Sequence, residues 1–288
     1  MTDLSDVDPW DRVADGYETS ARPVFAEFAD AALHLANVQP GQTVADIACG
    51  PGTLTILLAE RGARVSALDF SPRMLWILER NVARDQLEGV SVHHGDGQVL
   101  PFEDDQFDAA FSLFGLMFFP DRTKGYAEML RTLRPSGTGC VSSWARLSLC
   151  PLFEVMAHTI ARLDPSRGPP AYDISSLENP DVLLSEMRAA GFADVAVHPV
   201  ERSFAFPSAS ELWHGLTEGS APVSVMRSRL SADAWAALSD DAVRFIDAKA
   251  GPFPNRLAAT AWIATGRKPI AKRRAVSSKT KPISSSER

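Results

Sequence analysis

One segment limits what this chain can fold into more than any other: VADIACGPGTLTILLAERG, residues 44–62. It begins as a β-branched strand carrying Asp46, passes through the small residues Ala48, Cys49, Gly50, Pro51 and Gly52, and continues with the apolar spacing of a helix. A strand that feeds a helix through so short a turn belongs to a βαβ unit, and hence to a parallel sheet with helices on its faces. The turn also has a chemical meaning. Small residues let backbone approach a ligand closely, and the free N–H groups at the following helix start attract negative charge, so the ligand expected here has an anionic end.

The pattern then repeats along the chain. Apolar runs at 44–48, 64–70, 90–94, 107–114 and 139–144 read as strands, with amphipathic segments at 53–61, 72–84 and 121–133 between most of them. After Trp144 the alternation loosens into the helical PLFEVMAHTIARL and the loop-like DPSRGPPAYDISSLENP. A helix after Pro180, closed by Gly191, leads to the strand DVAVHPVERSFAF, where Pro199 demands a bulge or an edge position. Residues 208–250 read as helices and LAATAWIATGRK (257–268) as the last strand. The expected class is α/β: a doubly wound, mostly parallel seven-stranded sheet, with helical lid insertions at about 145–180 and 207–256 placed to cover a pocket. One domain is expected over 1–266, with its ligand-binding core at about 40–145, followed by a basic, disordered tail at 267–288.

Composition narrows the function. No apolar stretch is long enough to span a bilayer, and the acidic start MTDLSDVDPWD is unlike a secretory signal, so no membrane insertion and a cytoplasmic location are expected. The cysteines, Cys49, Cys140 and Cys150, form no CxxC pair, and the six histidines show no ligand spacing, so no metal is expected. Net charge is −7, but from Arg267 onward there are eight Lys/Arg and one acid, which leaves 21 bases against 35 acids before it, about −14. Such a body repels a phosphate backbone, and nucleic acid is not the expected partner. A monomer and a homodimer are both compatible with the sequence.

Two cofactor classes use a glycine turn of this kind. Aligning GxGxxG on Gly50 and Gly52 puts Thr55 at the third glycine, where its branched side chain obstructs close helix–strand packing. The segment instead closely resembles motif I of the class I S-adenosylmethionine-dependent methyltransferases, with Asp46, Ala48, Gly50 and Gly52 at matching positions and Ala48 replacing the more usual first glycine. The resemblance continues in order through VSALDFSPRML, through HHGDGQVLPFEDDQFDAAFSLFGLMFFPD, similar to the family's GDA-type segment followed by LPF, and through EMLRTLRPSGTGCVSSW, where Ser136 occupies a commonly Pro-Gly position. It covers about residues 10–145 and extends more weakly to 268. Within the family, GLMFFPD and the lid sizes look most like the ubiquinone/menaquinone-type small-molecule enzymes.

That resemblance implies a Rossmann-like methyltransferase fold and S-adenosylmethionine as cofactor. It implies that Asp69 accepts the ribose hydroxyls, Phe70 and Met74 pack on the purine, Asp96 accepts from the adenine amino group and Gly97 supplies backbone contacts. Ser112 and Leu113 would border the methyl group, Tyr17 in WDRVADGYE the methionine end, and Asp46 and Cys49 the turn itself. Phe114, Phe118, Phe153 and Trp213 are candidates for an apolar acceptor pocket, and His158, His214 and Tyr172 for a general base, with no choice among them. The expected activity is in-line methyl transfer to an O, N or C nucleophile of a lipophilic small molecule, such as a quinone precursor, a phenol or a natural-product-like metabolite. The alternatives are a tRNA or protein methyltransferase and a nonenzymatic S-adenosylmethionine-binding partner subunit.

Overall fold

The strand that opens the motif is buried on both sides, as a central parallel strand must be: Val44, Ala45 and Ile47 of β1 (Thr43–Ile47) have almost no exposed surface. A computed structural model describes residues 6–163 and 176–270. Around β1 it places β2 (Arg64–Asp69), β3 (Val90–His94), β4 (Phe107–Leu113), β5 (Leu133–Trp144), β6 (Ala193–Phe206) and β7 (Asn255–Arg267) in one sheet of order β3-β2-β1-β4-β5-β7-β6. Strands β1 to β5 run parallel, and β7 is antiparallel to both β5 and β6. The expected doubly wound, mostly parallel seven-stranded sheet is the one observed.

Alternate residues along each strand go to opposite layers. Val44, Val65, Ala109, Phe111 and Ile263 pack with α2 (Arg22–Ala36) and α3 (Thr53–Glu60) on one face. Ala45, Ile47, Ala110 and Val141 meet Tyr126 and Met129 of α5 (Arg122–Thr132) and Leu183 and Met187 of α7 (Pro180–Ala189) on the other. Helix α4 (Pro72–Arg84) lays Leu75 and Leu78 on Cys49, Ile56 and Ala67. Side-chain caps set the helix starts: Ser71 Oγ accepts from Met74 N at 3.1 Å with Pro72 in the first turn of α4, and Asp121 accepts from Lys124 N at 3.2 Å to begin α5.

Three groups of helices roof the C-terminal ends of the parallel strands. They are α6 (Pro151–Leu163), the set α8 (Ala209–Gly219), α9 (Ala221–Arg227) and α10 (Ala232–Ala250), and the N-terminal α1 (Asp8–Gly16), which continues through a π-helical turn at Tyr17–Ala21 into α2. Pro199 needs no bulge of its own, because β6 is the edge strand and the register break lies between Ala193 and Ala196.

The folded body ends later than residue 266. Arg267 pairs with Thr138 and Ala193, Lys268 N donates to Gly137 O at 2.9 Å, and Lys268 Nζ meets Asp105 Oδ1 at 2.7 Å. A tail starting at 267 is therefore corrected: these two basic residues belong to the sheet, while 271–288 lie outside the described residues. Because β7 is antiparallel, its end lies beside Thr138, about 20 Å along β5 from Trp144 at ~3.3 Å per residue. The chain thus leaves the sheet at the end opposite the roof. No helix among the described residues is long and apolar enough to cross a membrane.

Candidate active site

Strand order reverses between β1 and β4, and a crevice must open outside their C-terminal ends. It is a cavity of about 1110 Å³, larger than the ~300–1,000 Å³ of most single small-molecule sites and with room for two ligands side by side.

The floor of one end is the glycine turn. Ala48, Gly50 and Gly52 all have left-handed backbone, with φ of +58°, +55° and +88°. Asp69, 5% exposed at the end of β2, ties this turn to the next: Gly50 N donates to its Oδ2 at 2.8 Å and Ser71 N to its Oδ1 at 2.9 Å. A Cβ added at Gly50 would meet nothing within 4 Å, so the turn presents bare backbone to the cavity. Ala48, Gly50, Asp69, Phe70, Met74, Asp96, Gly97 and Leu113 all line this end, and Tyr17 is among the lining residues contributed by the roof. Asp96 accepts from Gln98 N at 2.8 Å and from Gln98 Nε2, while Gln98 Oε1 accepts from Asp121 N at 2.9 Å, which anchors that loop to α5.

Four expected ligand contacts are corrected. Asp46, Cys49, Gly52 and Ser112 do not line the cavity. Asp46 accepts from Thr55 Oγ at 2.6 Å beneath the turn, so the residue that spoils the dinucleotide alignment is the partner that satisfies this carboxyl. Burial pushes Asp46 up to about 7; the Thr55 hydrogen bond pulls the other way, and the Asp69 charge raises it further. Cys49 is turned into the α3–α4 cluster, where burial first, and then the charges of Asp69 and Asp46, hold its thiol far above the ordinary range. A Cβ at Gly52 would come within 2.2 Å of Leu78 Cδ1, so this glycine serves helix packing. Ser112 is fully buried within β4. Asp69 is itself raised, by burial against the lowering effect of its bonds from Ser71 and Gly50.

The other end of the cavity is apolar. Phe25, Phe114, Trp144 and Phe153 form an aromatic box, continued by Met156, Ile160, Phe206 and Leu216. Phe118 lines the cavity too, edge-on to Trp10 at 5.1 Å. Trp213 does not: it is buried in the roof, stacked on Trp235 at 5.8 Å. Sequence reasoning missed Trp10, Phe25 and Trp144. The available signal for Trp144 was its place as last residue of a parallel strand, where ligands bind.

The histidine candidates are corrected as well. His158 and His214 are exposed and outside the cavity, His158 lying 4.0 Å from Glu154. Tyr172 lies outside the described residues. Among the described lining residues the titratable side chains are Tyr17, Asp69, Asp96 and Glu178. Burial, and then the Asp69 charge, hold the Tyr17 phenol well above its usual range, so it stays protonated. No group of three or more His, Cys, Asp or Glu among the described residues is placed to hold a metal ion.

The roof is clamped over both ends. Asp15 accepts two bonds from Arg73 at 2.8 Å, and Glu18 accepts from Asn81 Nδ2 at 2.7 Å and from Arg80, all on α4. A Cβ at Gly16 would lie 2.3 Å from Glu218 O, so α1 and α8 meet backbone to backbone.

A mostly parallel sheet with this strand order, a glycine turn after β1, an acid after β2 and a roofed crevice define a doubly wound α/β fold with a ligand site at its switch point. A methyltransferase-domain family matches residues 44–137. The demethylmenaquinone methyltransferase of Clavibacter sepedonicus is 35% identical over 167 residues, 54% of this chain and 67% of that protein. An uncharacterised protein of Mycobacterium tuberculosis (strain ATCC 25618 / H37Rv) is 35% identical over 130 residues, 44% of this chain and 46% of its own length. The chain thus spans about half the length of curated relatives such as this one. Among solved structures, a Haemonchus contortus phosphoethanolamine N-methyltransferase holding S-adenosylhomocysteine superposes with TM-score 0.52 at 19% identity, over 84% of this chain and 52% of that one. The cyclase SpnF superposes with TM-score 0.54 at 20% identity, over 85% and 82%. These structures share the fold. The chain belongs to the class I S-adenosylmethionine-dependent methyltransferases.

Proposed function

We propose that the protein transfers the methyl group of S-adenosylmethionine to an O, N or C nucleophile of a lipophilic small molecule, with a quinone precursor or related phenol as the leading class. The observation that carries this reading is the single roofed cavity joining a bare-backbone glycine turn and a buried carboxylate to an aromatic box. The two ends suit two different ligands, one polar with an adenosyl group and one flat or apolar.

The residues fit the cofactor. Gly50 leaves open space above its Cα, and Asp69, with each oxygen already holding one backbone N–H, keeps lone pairs for the ribose hydroxyls. Phe70 and Met74 would pack on the purine, Asp96 and Gly97 would hold its edge, and Tyr17 would cover the methionine end. When bound, S-adenosylmethionine supplies an electrophilic sulfonium methyl. The chain's own part is to exclude water under the roof and hold the acceptor in line, which accounts for much of the rate such sites achieve. His158 and His214 line no part of the cavity, and an acceptor whose nucleophile is already electron-rich or acidic needs no base from them. The protein acts as a single domain from residue 1 to about Lys268, on a small molecule rather than on nucleic acid, and in the cytoplasm.

Calorimetric titration with S-adenosylmethionine, S-adenosylhomocysteine and NAD tests the cofactor, and labelled methyl transfer to phenolic and quinol acceptors tests the activity. Binding of both adenosyl sulfur compounds without NAD, followed by turnover, is the expected result. Folded protein that binds neither would sink the reading. Binding without turnover on any acceptor would favour a nonenzymatic partner subunit.

A further inference from the structure

The acceptor end of the cavity contains a backbone distortion for which no motif accounts. Phe114, the residue after β4, has φ +58°, in the left-handed region that bulky side chains seldom occupy. Its N–H donates to Ser142 Oγ at 3.0 Å and also reaches Ser142 O at 3.3 Å, so the neighbouring strand pins it there. Backbone strain of this kind persists only where the surroundings hold it, and it gathers at ligand sites.

The rings show what the distortion achieves. Phe114 lies over Trp144 with centroids 4.1 Å apart and planes at 25°, and both rings line the cavity. Phe25 meets the two edge-on, at 5.0 Å and 79° to Phe114 and at 5.5 Å and 62° to Trp144, and Phe153 closes on Trp144 at 4.4 Å and 62°. The next residue, Gly115, abuts the glycine turn, since a Cβ there would lie 2.5 Å from the Ala48 Cβ. The stacked pair therefore stands where the two halves of the cavity meet.

Resting on the methyl-transfer reading above, we propose that the Phe114–Trp144 pair is the specificity-determining wall of the acceptor site, that it selects a planar aromatic acceptor, and that Ser142 is the positioning residue that holds Phe114 in place. Flat and edge-on aromatic arrangements each add attraction beyond the area they bury, and a box of four rings offers both to an incoming ring. An aliphatic ammonium is also drawn to ring faces, but it must lose a proton before it can attack; the rings of the box carry no base, and Glu178 is the one carboxylate among the described lining residues outside residues 48–97. A phenolic or quinol-type ring arrives with an oxygen or ring carbon already rich in electrons.

The test uses the full chain, with 1,4-dihydroxynaphthalene as the planar probe, ethanolamine as the aliphatic one, and S-adenosylhomocysteine affinity measured in parallel. Phe114→Leu keeps an apolar side chain but removes the flat face. It is expected to weaken the planar probe by about tenfold, with S-adenosylhomocysteine affinity unchanged and Phe114→Tyr restoring the loss. Ser142→Ala is expected to raise KM for the planar probe and leave kcat close to that of the parent. The proposal is overturned if Phe114→Leu binds the planar probe as the parent does, if the parent prefers ethanolamine, or if Phe114→Leu loses S-adenosylhomocysteine as well, which would make Phe114 part of the cofactor site. A parent that binds no S-adenosylhomocysteine fails at the earlier step, and the methyl-transfer reading falls before this one.

Discussion

The two ends of the cavity are built on different principles. The cofactor end comes mainly from one stretch, residues 48–97, and uses left-handed turns, bare glycine backbone and one buried carboxylate. The acceptor end takes Phe25 from α2, Phe114 from the β4 exit, Trp144 from the end of β5, Phe153 and Ile160 from α6, Phe206 from β6 and Leu216 from α8. Backbone recognition of an anionic group requires particular residue types at fixed spacing, because only small residues permit those dihedral angles and that approach. An apolar wall accepts any large side chain that fills the space, from whichever element happens to supply it. The first leaves a motif, and the second leaves none.

The largest effect expected at the cofactor end is electrostatic. Asp46 titrates at about 7 in the folded chain against an ordinary 3.8, so between those values the folded state holds a proton that the unfolded state has released. Its contribution to stability is present at low pH and is lost as pH rises through that window. Asp46→Asn, which retains an acceptor for Thr55, is therefore expected to gain on the parent by up to about 4 kcal/mol between pH 4 and pH 8, read from urea unfolding at both values. A difference that stays constant with pH would mean that Asp46 is already ionised, and that the two ends differ less in charge than the geometry indicates.

Asp69→Ala comes next. Removing it strands the N–H groups of Gly50 and Ser71 as well as any ribose contact, and cofactor affinity should fall by about a hundredfold, roughly 3 kcal/mol, in a chain that still folds. Calorimetry with S-adenosylhomocysteine reads this, and unchanged affinity would remove Asp69 from the site. Gly16→Ala tests what the two ends share. Its Cβ would press on the Glu218 carbonyl, so α1 and α8 must separate, and both cofactor and acceptor should bind about tenfold more weakly. An effect confined to one end would show that the roof serves that end alone. The smallest effect is expected from deleting residues 269–288: turnover should match that of the full chain, because the chain leaves the sheet opposite the roof while Lys268 and its bond to Asp105 are kept. Loss of turnover would give the basic segment a part in one of the two ends.

Legibility followed the same division. Gly50, Asp69 and Asp96 were readable as cavity residues because their types and order follow from what a turn and a carboxylate can do. Both departures from glycine in the family pattern, Ala48 and Ser136, have positive φ, +58° and +68°, so the glycine preference there reflects a real backbone demand that these residues meet under strain. Gly52, Cys49 and Asp46 stand in the same motif, yet they face helix packing and the turn's underside; spacing identifies a motif without saying which way each member points. Trp144 and Trp213 show the harder case. Both are large aromatics in apolar segments, and only the register that ends β5 at the crevice makes one a wall and the other core.

The sequence by itself determined the parallel α/β layout, the family and the polar floor of the cavity, because those depend on local periodicity and on backbone conformations that few residues permit. Only the tertiary structure decided the acceptor wall, the roof that closes on it and the exclusion of His158 and His214. These depend on residues more than 200 positions apart, such as Gly16 and Glu218, meeting through packing, and apolar packing is indifferent to order along the chain.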